Sequence, residues 1–248
     1  MLKVRIIPCL TIKDLKLVKS VQFKNYRNIG NYIAAAKVFN ARDVDEMIFL
    51  DLDASSKGLN ISLLGHITKE CFMPLTIGGG IKTLSDIAAV LKIGADKISI
   101  NRKAFEDPDF IRKASRKYGN QCIVVSIDVK KTKRGFEVFI NNGKDSTGLS
   151  PLKWARQVEN LGAGEILLTS IDNDGKMKGY DLKLVKSICR EVEIPVIANG
   201  GAGHLSDFVK VIKSGASAAA ASSIFQYTQI TPNGIKAHLR ENGIEARI

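Results

Sequence analysis

The sequence predicts an α/β protein, a closed (βα)8 TIM barrel built from two homologous half-barrels. Residues 74–101 realign without a gap on residues 195–222 at a constant offset of 121, and ten of the 28 pairs are identical. Short apolar runs alternate eight times with longer amphipathic runs, which is typical of parallel βα units. A chain of 248 residues also has the usual length of such a barrel. An open doubly wound sheet is the competing architecture, but a tandem duplication of four βα units closes naturally into a ring.

The elements follow from these runs in chain order. Strands are predicted at residues 4–10, 47–50, 75–77, 98–100, 122–127, 166–171, 196–198 and 216–221. Amphipathic helices are predicted at residues 32–39, 61–70, 84–93, 109–118, 152–161, 181–190, 205–214 and 234–241. We expect one domain over residues 1–248, with half-barrels at roughly 1–120 and 121–248.

Composition narrows the possible functions. The chain carries 37 Lys+Arg against 25 Asp+Glu, a net charge of +12. Its basic residues lack interleaved aromatic residues and a nucleic-acid-binding motif, so we expect a solvated basic face and no nucleic acid partner. An anionic small substrate or an acidic protein partner is the alternative. The apolar runs are too short for a membrane span and no signal peptide is seen, which predicts a cytoplasmic protein without a membrane partner. Four widely spaced cysteines predict no disulfide, no metal site and no other cofactor.

Two glycine-rich segments predict where a ligand binds. In a TIM barrel the active site lies at the C-terminal ends of the strands, where glycines let backbone N–H groups approach a phosphate. The first cup consists of Gly79 and Gly80 with Asn101, and the second cup consists of Gly200 and Gly201 with Ser222. Two cups across one mouth predict a small-molecule ligand with a phosphate at each end. The alternative is that these glycines only permit tight βα turns.

Several motifs carry a resemblance to a known family. They lie at residues 6–10, 51–56, 77–81, 94–101, 121–128, 162–174 and 200–203. Across the whole chain the sequence resembles the cyclase subunit of imidazole glycerol phosphate synthase. The resemblance implies a (βα)8 barrel that docks a glutaminase subunit and passes ammonia along its axis. Ammonia then splits a bisphosphorylated formimino-aminoimidazole ribonucleotide into imidazole glycerol phosphate and aminoimidazole carboxamide ribonucleotide. The related isomerase shares the half-barrel repeat, but residues 23–30 resemble the first loop of the cyclase.

The resemblance also implies roles for individual residues. The family's general acid and base are two aspartates at the ends of the first and fifth strands. The fifth strand supplies Asp128, whereas the first supplies Thr11, whose hydroxyl cannot exchange a proton near neutral pH. The other implied substrate-binding residues are Cys9, Lys19, Asp51, Thr169, Asp174 and both cups. Further departures from the family pattern are Ser20, Asn31, Lys176, Asn199, where the family has a serine, and Gln226.

The other end of the barrel matches the family's ammonia gate. Its four charged residues correspond to Arg5, Glu46, Lys97 and Glu165, which we call the charged ring. From Arg5 to Thr11 is six residues of strand, about 20 Å, so these charges cannot touch a ligand at the mouth. Opposite charges can pair there, which makes their burial tolerable. Taken without the family, such a ring is equally well explained as a plug that orders the strands.

A complete charged ring below an altered mouth gives two hypotheses. The first is a synthase subunit that still cyclises its substrate, with Asp128 as the main acid/base and water or Lys19 replacing the lost partner. The second is a divergent paralogue that docks a glutaminase and conducts ammonia to a separate amidotransferase, for instance one that modifies a surface-polysaccharide sugar. Loss of one member of an acid/base pair costs about 10² to 10⁴ in rate, which favours the conduit.

Overall fold

A computed structural model, in which residues 3–247 are described, confirms the closed barrel. The strands are β1 (Arg5–Lys13), β2 (Lys16–Val21), β3 (Lys24–Gly30), β4 (Met47–Asp51), β5 (Leu75–Gly78), β6 (Lys97–Ile100), β7 (Ile123–Thr132), β8 (Gly135–Ile140), β9 (Asp145–Ser146), β10 (Glu165–Ser170), β11 (Val196–Asn199) and β12 (Ala218–Ala221). Eight of them form the barrel, in the order β1, β4, β5, β6, β7, β10, β11 and β12. The ring closes because β1 pairs in parallel with both β4 and β12.

Helices cover the outside of this barrel. They are α1 (Tyr32–Ala41), α2 (Ala54–Lys57), α3 (Ile61–Thr68), α4 (Leu84–Lys92), α5 (Arg102–Glu106), α6 (Asp109–Tyr118), α7 (Pro151–Asn160), α8 (Leu182–Cys189), α9 (Leu205–Lys213), α10 (Ser223–Tyr227) and α11 (Pro232–Glu241). All eight predicted helices are present, with bounds within two residues of those expected. The short helices α2, α5 and α10, which follow β4, β6 and β12, were not predicted. Within residues 3–247, no helix has the length and apolar character needed to cross a membrane.

The duplicated Ser-Asp of the repeat has a structural explanation. Asp86 accepts hydrogen bonds from the backbone N–H groups of Lys82 (2.9 Å) and Thr83 (2.8 Å), so it caps the start of α4. Asp207 accepts in the same way from Gly203 (3.0 Å) and His204 (2.9 Å) at the start of α9. These contacts satisfy N–H groups that have no partner inside the helix. The aspartate that is identical in the two halves therefore has the same structural role in each, at the start of α4 and of α9. The half-barrel boundary near residue 120 stays a prediction.

Two hairpins at the C-terminal ends of the strands correct the sequence-based description. The segment expected to be the first loop is a two-stranded ribbon, β2 paired with β3, which we call the first hairpin. The second hairpin, residues 129–146, forms because β7 runs past the predicted end at residue 127 and pairs with β8, which pairs with β9. At the turn of the first hairpin Gln22 and Phe23 have φ of 54° and 60° without any glycine. The Asn-Gly signal of such turns is therefore missing from the sequence.

The core has an outer and an inner layer. The outer layer fills the space between helices and strands. The inner layer lies within the barrel and consists of Ile7, Cys9, Ile48, Val124, Leu167, Ile197, Ala218 and Ala220. The inner-layer residues of β12 are both alanines, whose small side chains fill little of the barrel interior.

One buried ion pair ties the C-terminal part of the chain to the N-terminal part. Lys236 of α11 lies 3.2 Å from Asp45, and both side chains are 3% exposed. The second oxygen of Asp45 accepts from the backbone N–H of Ile6 on β1 at 2.9 Å. Both charges are therefore satisfied at the N-terminal end of the barrel strands.

Candidate active site

A cavity of about 390 Å³ opens at the C-terminal ends of the barrel strands. The two hairpins cover part of it, with Phe23 and Tyr26 from the first and Asn141 and Asn142 from the second. They meet where Phe23 packs beside Gly143, since a Cβ at Gly143 would lie 3.0 Å from the Phe23 ring. We call this cavity the mouth.

The structure brings the predicted ligand-binding residues together at this end. The residues that line the mouth include Cys9, Thr11, Lys19, Asp51, Gly79, Gly80, Asn101, Asp128, Thr169, Asp174 and Ser222. Gly200 and Gly201 line a small adjoining pocket, which shares Lys19, Asp174 and Ser222 with the mouth. The two cups therefore lie on one connected surface. The roles of these residues toward a ligand stay predictions.

Asp128 is the buried acidic group of the mouth. It lies on β7 with only 9% of its surface exposed. The Asn101 amide donates to its Oδ2 at 3.0 Å. The pKa of Asp128 is raised to about 7, because burial and the charge of Asp174 raise it by more than the hydrogen bonds from Thr169 and Asn101 lower it. A carboxyl with a pKa near neutrality can both give and take a proton, as a general acid/base must.

Thr11 does not replace the missing carboxylate. Its hydroxyl donates to the backbone carbonyl of Val18 at 2.7 Å, across the pair formed by β1 and β2. The side chain lines the mouth, but its hydrogen is used to close the base of the first hairpin. The expectation that Thr11 lies at the mouth is met, and its one polar group is engaged by the backbone.

Lys19 and Asp174 form the buried ion pair of the mouth. Their Nζ and Oδ1 atoms lie 3.1 Å apart, and both side chains are less than a tenth exposed. The Lys19 ammonium is thus not part of a solvated basic face, in contrast to the exposed Lys16, Lys24 and Arg27 of the first hairpin. Because its charge is already paired, Lys19 holds the first hairpin against the segment that follows β10.

The glycines of both cups are required by close backbone contacts. A Cβ at Gly79 would lie 2.1 Å from the carbonyl oxygen of Asp51, and one at Gly201 would lie 2.2 Å from that of Gly179. Both residues have positive φ. Tight packing alone therefore accounts for glycine at these positions. A separate observation concerns Ser223 beside the second cup, whose buried hydroxyl has no hydrogen-bond partner among the described residues.

Two further mouth residues have mainly structural contacts. Asp51 accepts from the backbone N–H groups of Asp53 (2.9 Å) and Ala54 (3.3 Å), and burial raises its pKa. Burial also raises the pKa of Cys9 to about 12, so its thiol stays neutral. Asp51 thus braces the turn after β4, and Cys9 acts as a small apolar side chain.

The charged ring is assembled at the opposite end. Arg5 lies 2.6 Å from Glu46 and 3.1 Å from Glu165, and Lys97 lies 3.0 Å and 3.1 Å from the same two carboxylates. Glu46 also accepts from the Thr76 hydroxyl at 2.9 Å. Positive and negative groups alternate around the ring, so every charge has two opposite neighbours. Its role in ammonia transfer stays a prediction.

Sequence reasoning missed several contributions to the site. Phe23, Tyr26, Asn141 and Asn142 reach the mouth only because the hairpins fold over it. The Asn199 amide donates to the Thr169 hydroxyl at 3.1 Å, a contact between adjacent strands that has no local sequence signal. Asn31, noted as a departure from the family, caps α1 by accepting from two backbone N–H groups and has no part in the mouth.

Comparison with known proteins agrees with this architecture. The profile of the family described as histidine biosynthesis protein matches residues 5–231. A Campylobacter jejuni protein provisionally named imidazole glycerol phosphate synthase subunit hisF2 is 49% identical over the full length of both chains. The protein named imidazole glycerol phosphate synthase subunit HisF is 47% identical in a Hydrogenobaculum species, over both full lengths, and 45% identical in Lactococcus lactis, over all of this chain and 98% of that one. These names confirm the resemblance inferred from the motifs and favour the cyclase type over the isomerase. The chain belongs to the histidine biosynthesis protein family, as a relative of the HisF subunits of imidazole glycerol phosphate synthase.

Proposed function

We propose that this chain is the ammonia-accepting barrel subunit of a glutamine-dependent synthase complex. A HisH-type glutaminase docks at the charged ring, and ammonia passes through the barrel to the mouth. There Asp128 exchanges protons with a bisphosphorylated aminoimidazole ribonucleotide. The observation that carries this proposal is Asp128 itself, a buried carboxyl in the mouth with a pKa of about 7.

The surroundings of the two cups support a ligand with two phosphates. Lys82, Arg102 and Lys103 line the mouth on the side of the first cup. At the second cup, the unpartnered hydroxyl of Ser223 is available to donate to an anion. A buried polar group without a partner is costly, and a bound phosphate oxygen would remove that cost. Nearby cations would thus help to bind one phosphate at the first cup, and the Ser223 hydroxyl would help to bind the other at the second cup.

The interior between the two ends supports passage of a neutral molecule. Above the charged ring the barrel is lined by apolar side chains such as Ile7, Val124 and Ala220. An isolated ion would lose its hydration there at high cost, whereas uncharged ammonia would not. The ring and the apolar layer together therefore favour ammonia over ammonium.

A second candidate function is a conduit without cyclase activity, and Thr11 favours it. The Thr11 hydroxyl is held by the Val18 carbonyl, so no second titrating group stands at that position. Such a subunit would deliver ammonia to another enzyme, for example an amidotransferase acting on a surface-polysaccharide sugar. Docking of the glutaminase is common to both candidates.

An ammonia-dependent cyclase assay on the purified chain separates them. We expect imidazole glycerol phosphate at a rate at least about a hundredfold below that of an ordinary HisF subunit, because one of two acid/base groups is missing. Thr11→Asp should recover part of the rate. Thr11→Asn is the matched control, because asparagine has the size of aspartate but no titrating group, and it should recover none of the rate.

Two results of the same assay would each rule out one candidate function. Ordinary turnover by the unmodified chain would refute the conduit. No turnover by the unmodified chain or by Thr11→Asp, with the fold intact, would refute the cyclase. In a complex with a HisH-type glutaminase, Arg5→Ala should reduce turnover from glutamine more than turnover from added ammonia, since Arg5 lies far from the mouth.

A further inference from the structure

Three polar residues form a row across three adjacent strands at the mouth. Asp128 lies on β7, Thr169 on β10 and Asn199 on β11. The strand register pairs Thr169 with Asp128 on one side and with Asn199 on the other. Residues in register on neighbouring strands point to the same face of a sheet. The three side chains therefore lie side by side at the mouth.

The hydrogen bonds along this row have a defined direction. The Asn199 amide donates to the Thr169 Oγ1 at 3.1 Å. A threonine hydroxyl has one hydrogen to donate and two positions at which it accepts. Because the amide fills an accepting position, the hydrogen of Thr169 is left to point toward Asp128, its register neighbour on β7, and Thr169 lowers the pKa of that carboxyl.

Neutral donors hold Asp128 on both sides. On the β6 side, the Asn101 amide donates to Oδ2 and also to the Ser126 carbonyl at 3.1 Å. The titratable groups that face Asp128 from the other elements are Cys9 of β1, Lys19 of β2, Tyr26 of β3 and Asp174 after β10. The one cation among them, Lys19, is paired with Asp174. Within residues 3–247 Asp128 itself forms no salt bridge, so the neutral donors are the groups that oppose the rise of its pKa caused by burial and by Asp174.

We propose that Asn199 is a positioning residue, which orients the Thr169 hydroxyl as a hydrogen-bond donor to Asp128. The inference deepens the proposed function, because it rests on Asp128 as the acid/base. The nitrogen of the Asn199 amide faces Thr169 and can only donate, so in this orientation it sets the direction of the row. The serine that the family resemblance implies at this position is shorter, and its hydroxyl can donate or accept, so it would leave the direction open.

The test is a titration of Asp128 in the purified full-length chain, followed by ¹³C NMR of labelled aspartate carboxyls. Asp128→Asn assigns the signal. We expect Thr169→Val to raise the pKa of Asp128 by about 1 and Asn199→Ala to raise it by about half as much, since each change weakens a donor to the carboxylate. In the Thr169→Val background, Asn199→Ala should add nothing, because its effect passes through the hydroxyl. Asn142→Ala, which removes another amide from the mouth, is the matched control.

Two results would overturn the proposal. One is an unchanged pKa in Asn199→Ala. The other is an equal shift with and without the Thr169 hydroxyl, which would mean that Asn199 acts on Asp128 directly. If Asn199→Ala does not fold, Asn199→Ser is measured with the same expected direction. Since the titration needs no substrate, a chain without cyclase turnover would still report on the row.

Discussion

At the residue scale, the mouth carries a stability cost at Asp128. Burial raises the pKa of this carboxyl from 3.8 to about 7. Between those two values the folded protein holds a proton that the unfolded chain has released. The free energy of unfolding therefore falls as pH rises through this range, and the loss is complete above pH 7. A group that destabilises the fold at neutral pH is typical of a functional position.

Asp128→Asn should remove this cost. We expect the variant to be more stable than the unmodified chain by roughly 2 to 4 kcal/mol at pH 8, with the difference shrinking toward pH 5. Urea unfolding at several pH values measures it. Asp109→Asn, at an exposed carboxyl on α6 whose pKa is lowered by Lys113, is the control and should not show this pH dependence. A stability difference that did not change with pH would contradict the raised pKa.

The sequence predicted some residues of the mouth better than others. Asp128 and Thr11 could be placed because each follows a recognisable strand. The row of Asp128, Thr169 and Asn199 could not be predicted, since it depends on which strands are neighbours and in what register. The hydrogen bond from Thr11 to the Val18 carbonyl could not be predicted either, because it requires that β2 pairs with β1.

At the element scale, the turns after the strands depend on glycines, and two of them offer a matched comparison. Gly201 has a φ of 115° and Gly135 a φ of 108°. A Cβ at Gly201 would lie 2.2 Å from the Gly179 carbonyl, whereas one at Gly135 would have no neighbour within 4 Å. Gly135→Ala thus reports backbone strain alone, and Gly201→Ala adds a steric clash.

We expect Gly135→Ala to lower the free energy of unfolding by about 1 kcal/mol and Gly201→Ala by about 3 kcal/mol or more. Chemical denaturation of both variants measures the difference. Equal losses would show that the segment containing Gly179 moves aside without cost.

The barrel elements were predictable because each long amphipathic run has a strong period and its own βα unit. The hairpins were not. No residue of β3 is buried, so it lacks the alternation of a half-buried strand, and the turn between β2 and β3 has Gln22 and Phe23 at positive φ, where glycine gives the usual signal.

At the scale of the whole molecule, the Asp45–Lys236 pair joins the last helix to the start of the barrel. Lys236→Met would leave the Asp45 charge buried without a partner, so we expect a loss of about 3 kcal/mol in unfolding free energy. The double change Asp45→Asn with Lys236→Met should recover part of it, since asparagine still accepts from Ile6. Lys37→Met, which breaks the exposed pair with Glu70, is the control and should cost under about 1 kcal/mol. Thermal or urea unfolding measures the loss of unfolding free energy in each variant. Equal losses at both sites would contradict a tight internal pair.

The repeat favoured a closed barrel over an open sheet, because a tandem duplication of four βα units closes naturally into a ring. The ion pair that joins the last helix to the start of the barrel could not be predicted from the sequence. Nothing in the sequence around Lys236 marks it as buried, and its partner lies 191 positions away.

The alternating signs of the charged ring bear on how the two ends of the barrel evolve. Two positive and two negative groups at alternate corners form an electrical quadrupole with no net charge, and its potential decays with distance far more steeply than that of a single ion. At the mouth, about 20 Å along β1, that potential is negligible. Substitutions at the mouth, such as threonine for the first aspartate, therefore leave the ring's electrostatic balance untouched. The end of the barrel that carries the charged ring can therefore stay constant while the chemistry at the mouth diverges.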